Sequence, residues 1–107
     1  MHKISLRNIY ITRLVFSGYT QKEVGVLFGI TGCRVGVVAL DVCKRLVKPA
    51  EKELVKKLAD YQKSMKSRIF NLLVEYEEAK YPYERQQVLD MDTVEEILTY
   101  IKSIKSN

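Results

Sequence analysis

All five glycines of this chain lie between residues 18 and 36, and the residues around them predict two helices joined by a sharp turn. Thr20 and Glu23 have the spacing of a capping box, in which a hydroxyl and a carboxylate each satisfy a free amide at a helix start. Gly29 suits the end of that helix because glycine tolerates left-handed backbone conformations, and Thr31 is placed to cap the next helix. The sequence therefore predicts a short helix between Thr20 and Gly29 and another after Thr31.

The spacing of apolar and small residues over 21–40 is that of a helix-turn-helix. Gly25 would let the two helices cross closely, and Gly29 would supply the positive φ of the turn. Their crossing would be fixed by apolar side chains at Val24, Phe28, Ile30, Val35 and Val38. The alternative interpretation is an unrelated pair of short core helices.

Helical periodicity also precedes and follows this segment. Residues 4–16 favour a helix, although several β-branched side chains leave a strand open. An apolar stripe with steps of three and four residues predicts one helix of about 30 residues, about 45 Å long; the stripe is Leu54, Leu58, Tyr61, Met65, Ile69, Leu72 and Tyr76. Asp92 and Glu95 predict the start of a last helix. The expected fold is all-α: an N-terminal helix-turn-helix, a long helix and a short C-terminal helix.

Charged residues are distributed unevenly along the chain. Of its 107 residues, 1–49 carry 8 basic and 2 acidic side chains, 50–80 carry 7 and 6, and 81–107 carry 3 and 5. The total of +5 favours a polyanionic partner. We expect a helix-turn-helix domain over 1–49 and a helical extension for dimerisation or docking over 50–107.

Little in the sequence favours catalysis, a metal site or a membrane span. Cys33 and Cys43 lack the spacing and the accompanying histidines of a zinc site, and His2 stands beside the first residue. Acidic residues such as Glu77 are expected on solvated helix faces. No uninterrupted run approaches the roughly 18 apolar residues of a span. We expect a soluble, cytoplasmic protein that is not an enzyme and has no cofactor.

The segment 20–49, TQKEVGVLFGITGCRVGVVALDVCKRLVKP, resembles the fourth conserved region of bacterial primary sigma factors and related sigma-like helix-turn-helix domains. The matching positions are Thr20, Glu23, Val24, Gly25, Phe28, Thr31, Arg34, Leu46 and Pro49. The resemblance covers about 30 residues, and 107 residues are too few for a complete sigma factor. It implies that the helix after Thr31 enters the major groove while the preceding helix crosses the DNA backbone.

The chain departs from that family at the positions that meet base edges. Where primary sigma factors typically carry Arg, Glu, Arg and Gln, this chain has Gly32, Cys33, Gly36 and Val37. Bidentate hydrogen bonding to bases is therefore reduced. Arg34 is retained, Val37 can touch a thymine methyl group and Cys33 can make a weak contact, so limited base readout is expected.

The remaining contacts predicted for DNA are mainly to phosphates. The candidates lie at the start of the second helix, at the cap of the third and along its last turns: Gln21, Lys22, Thr31, Lys44, Arg45 and Lys48. The competing interpretation is that the last three form only a solvated face.

Two functions follow from these observations. The first is a small transcriptional regulator that binds double-stranded DNA as a homodimer, with the apolar stripe as the dimer seam. The second is a protein-docking module. Gly32 and Gly36 lie on one helix face and would form a smooth strip there, suited to RNA polymerase or a second copy of the chain. Because glycine costs a helix about 1 kcal/mol relative to alanine, two glycines suggest that something approaches closely.

Overall fold

The computed structural model describes residues 3–47 and 56–83, together with Glu95, Ile97 and Thr99. Five α-helices have both ends among the described residues: α1 (Leu6–Phe16), α2 (Gln21–Phe28), α3 (Gly32–Leu46), α4 (Leu58–Ser64) and α5 (Lys66–Lys80). No strand occurs among these residues, so the predicted all-α class is confirmed and the strand alternative for 4–16 is wrong. Lys48, Leu54 and most of the predicted C-terminal helix lie outside the described residues.

The central element of the fold is α1. Ser5 caps it by accepting a hydrogen bond from the backbone amide of Asn8 at 3.2 Å. Every residue from Ile9 to Phe16 is buried, and the helix packs against α2, α3 and α5. A helix that is apolar on nearly all sides must be surrounded by others. Three other helices, α2, α3 and α5, are therefore arranged around α1.

One ion pair lies within this core. The Nη1 atom of Arg13, on α1, donates to Oε2 of Glu77, on α5, at 2.8 Å. The Arg13 guanidinium also lies 5.7 Å from the ring centroid of Tyr10 and 5.9 Å from that of Phe70. Glu77 is fully buried, so its predicted place on a solvated face is wrong. Its carboxylate is the countercharge for a buried arginine.

The predicted long helix is interrupted at Met65, whose φ of −129° and ψ of 16° are not helical. Hydrogen bonds still run to it from both sides, since its amide donates to the Tyr61 carbonyl and its carbonyl accepts from the Ile69 amide. The break separates α4, which packs on α3, from α5, which packs on α1 and α3. The single-helix prediction is wrong, because the non-helical backbone at Met65 divides this part of the chain into two helices with different packing partners.

The described residues of the apolar stripe pack within a single chain. Leu58, Tyr61 and Ile69 are buried, and Met65, Leu72 and Tyr76 are half-buried against the same core. That core also includes Ile97 and the side chains of α1 and α3. The described part of segment 50–107 therefore shares its hydrophobic core with segment 1–49, and the buried stripe residues are not free for a second chain.

Two tyrosines form hydrogen bonds with the backbone of Ile4, just before α1. The Tyr76 hydroxyl accepts a hydrogen bond from the Ile4 amide, and the Tyr81 hydroxyl donates to the Ile4 carbonyl, both at 2.7 Å. Lys3 places its Nζ 4.1 Å from the centroid of the Tyr81 ring. Both backbone polar groups of Ile4 are thus satisfied, one by Tyr76 of α5 and the other by Tyr81 just after it, which ties the segment before α1 to α5.

Candidate nucleic-acid interface

A turn of three residues, Gly29 to Thr31, joins α2 to α3, and the chain bends by 98° between the two helices. Gly29 has φ 71° and ψ 33°, the left-handed conformation predicted for it. The Ile30 amide then donates to the Gly25 carbonyl at 2.9 Å. This hydrogen bond closes α2 and directs the chain into α3.

Gly25 is the point of closest approach between α2 and the turn. A Cβ atom at this position would lie 2.5 Å from the Ile30 carbonyl oxygen, 3.2 Å from the Thr31 carbonyl carbon and 3.3 Å from the Gly32 amide nitrogen. All three atoms belong to the backbone, so no side-chain rotation relieves the overlap. The predicted need for glycine at this position is confirmed.

Both predicted helix caps are present. The Thr20 hydroxyl accepts from the Glu23 amide at 3.1 Å, and Oε1 of Glu23 accepts from the Thr20 amide at 3.0 Å. The backbone and side-chain hydrogen bonds from Thr20 lower the pKa of the Glu23 carboxyl below its usual value. At the start of α3, the Thr31 hydroxyl accepts from the Arg34 amide at 3.1 Å. The orientation of both helices is therefore fixed by local hydrogen bonds.

The glycines of α3 lie against α2. A Cβ on Gly32 would be 3.4 Å from the Lys22 amide nitrogen, and a Cβ on Gly36 would be 2.7 Å from Oε1 of Gln21. Both glycines are half-buried. The predicted smooth outer strip is therefore partly covered by the first turn of α2, and the close approach that these glycines permit occurs within the chain.

The outward face of α3 carries most of the other predicted contact residues. The predicted contact residues among its cap and exposed positions are Thr31, Cys33, Arg34, Val37, Lys44 and Arg45. Gln21 and Lys22 are also exposed, at the start of α2. Because Gly32 touches the Lys22 backbone, these two residues lie beside the first turn of α3. The structure thus brings the described candidates together on one surface formed by α2 and α3.

An acidic residue outside the predicted contact set lies on the same surface. Asp41 is exposed, and its Oδ2 atom forms an ion pair with Nε of Arg45 at 3.1 Å. Counting the exposed ionised side chains of α2 and α3, Lys22, Arg34, Lys44 and Arg45 give +4, and Glu23 and Asp41 give −2, which leaves +2. In the sequence, the i,i+4 spacing of Asp41 and Arg45 is the signal that predicts this ion pair.

Each helix of the α2–α3 pair carries one exposed valine. Val26 on α2 is 75% exposed and borders a shallow groove with Tyr19, Glu23 and Leu27. Val37 on α3 is 56% exposed. The groove was not predicted from the sequence, because Val26 also fits the apolar pattern of a core residue.

The cysteines have opposite environments. Cys33 is exposed in the first turn of α3, whereas Cys43 is fully buried, and burial raises the pKa of its thiol to about 12. Within residues 3–47 and 56–83, no cluster of histidine, cysteine, aspartate and glutamate side chains has the geometry of a metal site.

The comparisons with known proteins add no relative: no protein family, curated protein or solved structure matches this chain significantly. Across the described segments, no helix taken alone has both the length and the hydropathy to cross a membrane; α2 and α3 reach them only as a pair, bent by 98°.

Proposed function

We propose that this protein is a small transcriptional regulator that binds double-stranded DNA with α2 and α3 acting as a helix-turn-helix. The observation that carries the proposal is the 98° bend made by Gly25 and Gly29, together with the exposed basic side chains beside it. DNA-binding helix-turn-helix units have two helices at about 90–120° joined by a turn of three or four residues. In this arrangement α3 lies in the major groove and α2 crosses the phosphate backbone.

Phosphate contacts supply most of the affinity in this proposal. Lys22 in the first turn of α2 and Lys44 in the last turn of α3 are both exposed, so each is available to a phosphate. Gln21 and Thr31 add polar groups near the start of α3. Arg45 contributes less than its charge suggests, because Asp41 already pairs with it at 3.1 Å.

Base readout in this proposal is limited. Gly32 and Gly36 have no side chains to offer and face the first turn of α2. Of the residues on the exposed face, Arg34 has the guanidinium geometry that recognises guanine in a bidentate manner. Sequence preference therefore depends on Arg34, Val37 and Cys33.

Fluorescence anisotropy with a labelled 20-base-pair duplex tests the proposal. Neutralisation of about three to four phosphates by the cations of this surface gives a log–log slope of affinity against salt near −3 to −4 for each bound chain. Lys44→Ala should reduce the magnitude of that slope by about 1. Lys80→Ala is the matched control, since it removes one exposed lysine from α5 and leaves the slope unchanged. Absence of binding at low salt and micromolar protein would overturn the proposal.

Homodimerisation belongs to the same proposal, because a single recognition helix contacts few base pairs and two copies read two half-sites. Since Tyr61 and Ile69 are buried within one chain, the dimer surface must involve other side chains. Light scattering with and without duplex measures the number of chains. A single chain bound per duplex at saturation would remove the dimer from the proposal.

A second candidate function is protein docking, which the exposure of Val26 and Val37 favours. RNA polymerase is the partner suggested by the sigma-like sequence pattern. The two functions separate in one comparison: purified polymerase should be retained by the immobilised protein, and Val26→Ser, which removes the apolar surface without changing the charge, should abolish retention while duplex affinity stays unchanged. Failure of polymerase to bind at micromolar concentration would exclude this candidate.

A further inference from the structure

We propose that α3 reads A·T base pairs through the 5-methyl groups of thymine, with Val37 at the centre of the contact. The inference rests on the proposed DNA-binding function and identifies the class of duplex that the site prefers. It begins from the position of an exposed valine among charged side chains.

Val37 lies at the middle of the outward face of α3. At about 100° per residue, Cys33 and Lys44 lie within about 40° of it on one side, and Asp41 and Arg34 lie within about 60° on the other. Val35, Ala39 and Val42 are buried on the opposite side of the helix. The side chain at the centre of this face is thus apolar and 56% exposed.

The charges around Val37 favour DNA as the occupant of this face. Lys44 and Arg34 are exposed on its two flanks, where phosphates border a groove. Asp41 is engaged by Arg45, which weakens its repulsion of DNA. An α-helix with its side chains is about 10–12 Å across, close to the roughly 12 Å width of the major groove.

The major groove presents one apolar group, the 5-methyl of thymine, and valine is an apolar partner for it. Gly32 and Gly36 are turned towards α2, so the face offers no additional side chain that would form bidentate bonds with adenine. The apolar contact at Val37 therefore discriminates A·T from G·C at the base pair that it faces, while Arg34, about 60° away on the helix, binds a guanine at another position or a flanking phosphate.

Replacement of thymine by deoxyuridine tests this contact, because it deletes the methyl group and leaves the base-pairing edges in place. The probes are two 20-base-pair alternating A·T duplexes, one with thymine and one with deoxyuridine. We expect the wild-type protein to bind the thymine duplex at least about threefold more tightly, the factor associated with one buried methyl group. The ratio should hardly change with salt, because the deleted group carries no charge.

Val37→Ala should bring the ratio close to 1, and Val26→Ala, which truncates the other exposed valine, should preserve it. Circular dichroism of both variants checks that they remain helical. A wild-type ratio near 1 with salt-dependent binding to both duplexes overturns the inference and leaves the proposed function intact. A ratio that persists in Val37→Ala overturns the assignment to Val37. No binding to either duplex at low salt overturns both proposals.

Discussion

Arg13 and Glu77 are 64 positions apart in sequence, yet their side chains meet at 2.8 Å and are only 2% and 0% exposed. This pair links the central helix to α5, on the same inward face as the buried Ile69 and Leu73. Because the exposed A·T-reading face proposed for α3 is built on the same core, the rigidity of that core supports the site. Polar contacts between Ile4 and two tyrosines strengthen the same α1–α5 contact.

Glu77→Gln should destabilise the fold by about 3–5 kcal/mol, because it leaves the buried Arg13 charge without its carboxylate. Urea unfolding followed by circular dichroism measures the change. The double variant Arg13→Met/Glu77→Leu should recover most of the loss, since apolar residues of similar volume often replace a buried ion pair without cost. A loss below about 1 kcal/mol in Glu77→Gln would show that the charge is not buried in solution.

The glycines of the helix pair should respond differently to alanine. Gly25→Ala places a Cβ 2.5 Å from a backbone oxygen, so it should destabilise the protein by about 1–3 kcal/mol. Gly36→Ala meets only the movable Gln21 side chain and should be neutral or stabilising by up to about 1 kcal/mol. Urea midpoints compare the two variants directly. Equal effects would mean that α2 and the turn are not in close contact.

The features predicted from the sequence are those that depend on neighbours a few residues away. The capping box of Thr20 and Glu23 and the left-handed Gly29 each follow from a local pattern, and each is present. The all-α class follows from the same short-range periodicities.

Features that depend on distant residues were not predictable in this way. The burial of Glu77 requires Arg13 from another helix, and the position of Gly36 depends on Gln21 across the turn. The break at Met65 leaves the apolar steps of the stripe unchanged, so periodicity contains no sign of it. On the candidate surface, the sequence shows the types of the residues that form it. The pairing of Asp41 with Arg45, which reduces the positive charge of that surface, was not predicted.

Asp41→Asn should raise duplex affinity, because it removes a negative charge from the DNA-facing surface and releases Arg45 for a phosphate. The magnitude of the salt slope should increase by up to about 1. Glu78→Gln is the matched control, since it changes the net charge equally at an exposed position on α5. The idea fails if both variants raise affinity by the same factor, because the effect would then reflect total charge alone.

Thiol alkylation should report both the fold and the interface. In the native protein at pH 8, iodoacetamide should modify Cys33 and spare Cys43, whose thiol is buried and has a pKa raised to about 12. The raised pKa keeps Cys43 protonated at this pH, and only thiolates react. Cys43 therefore becomes reactive only when the protein unfolds. A saturating duplex should slow modification of Cys33 at least about tenfold if α3 lies in the groove, as measured by mass spectrometry of the peptides. Full reactivity of Cys33 in a complex that anisotropy shows to be formed would place the DNA on another surface, because an alkylating reagent cannot reach a thiol between α3 and the bases.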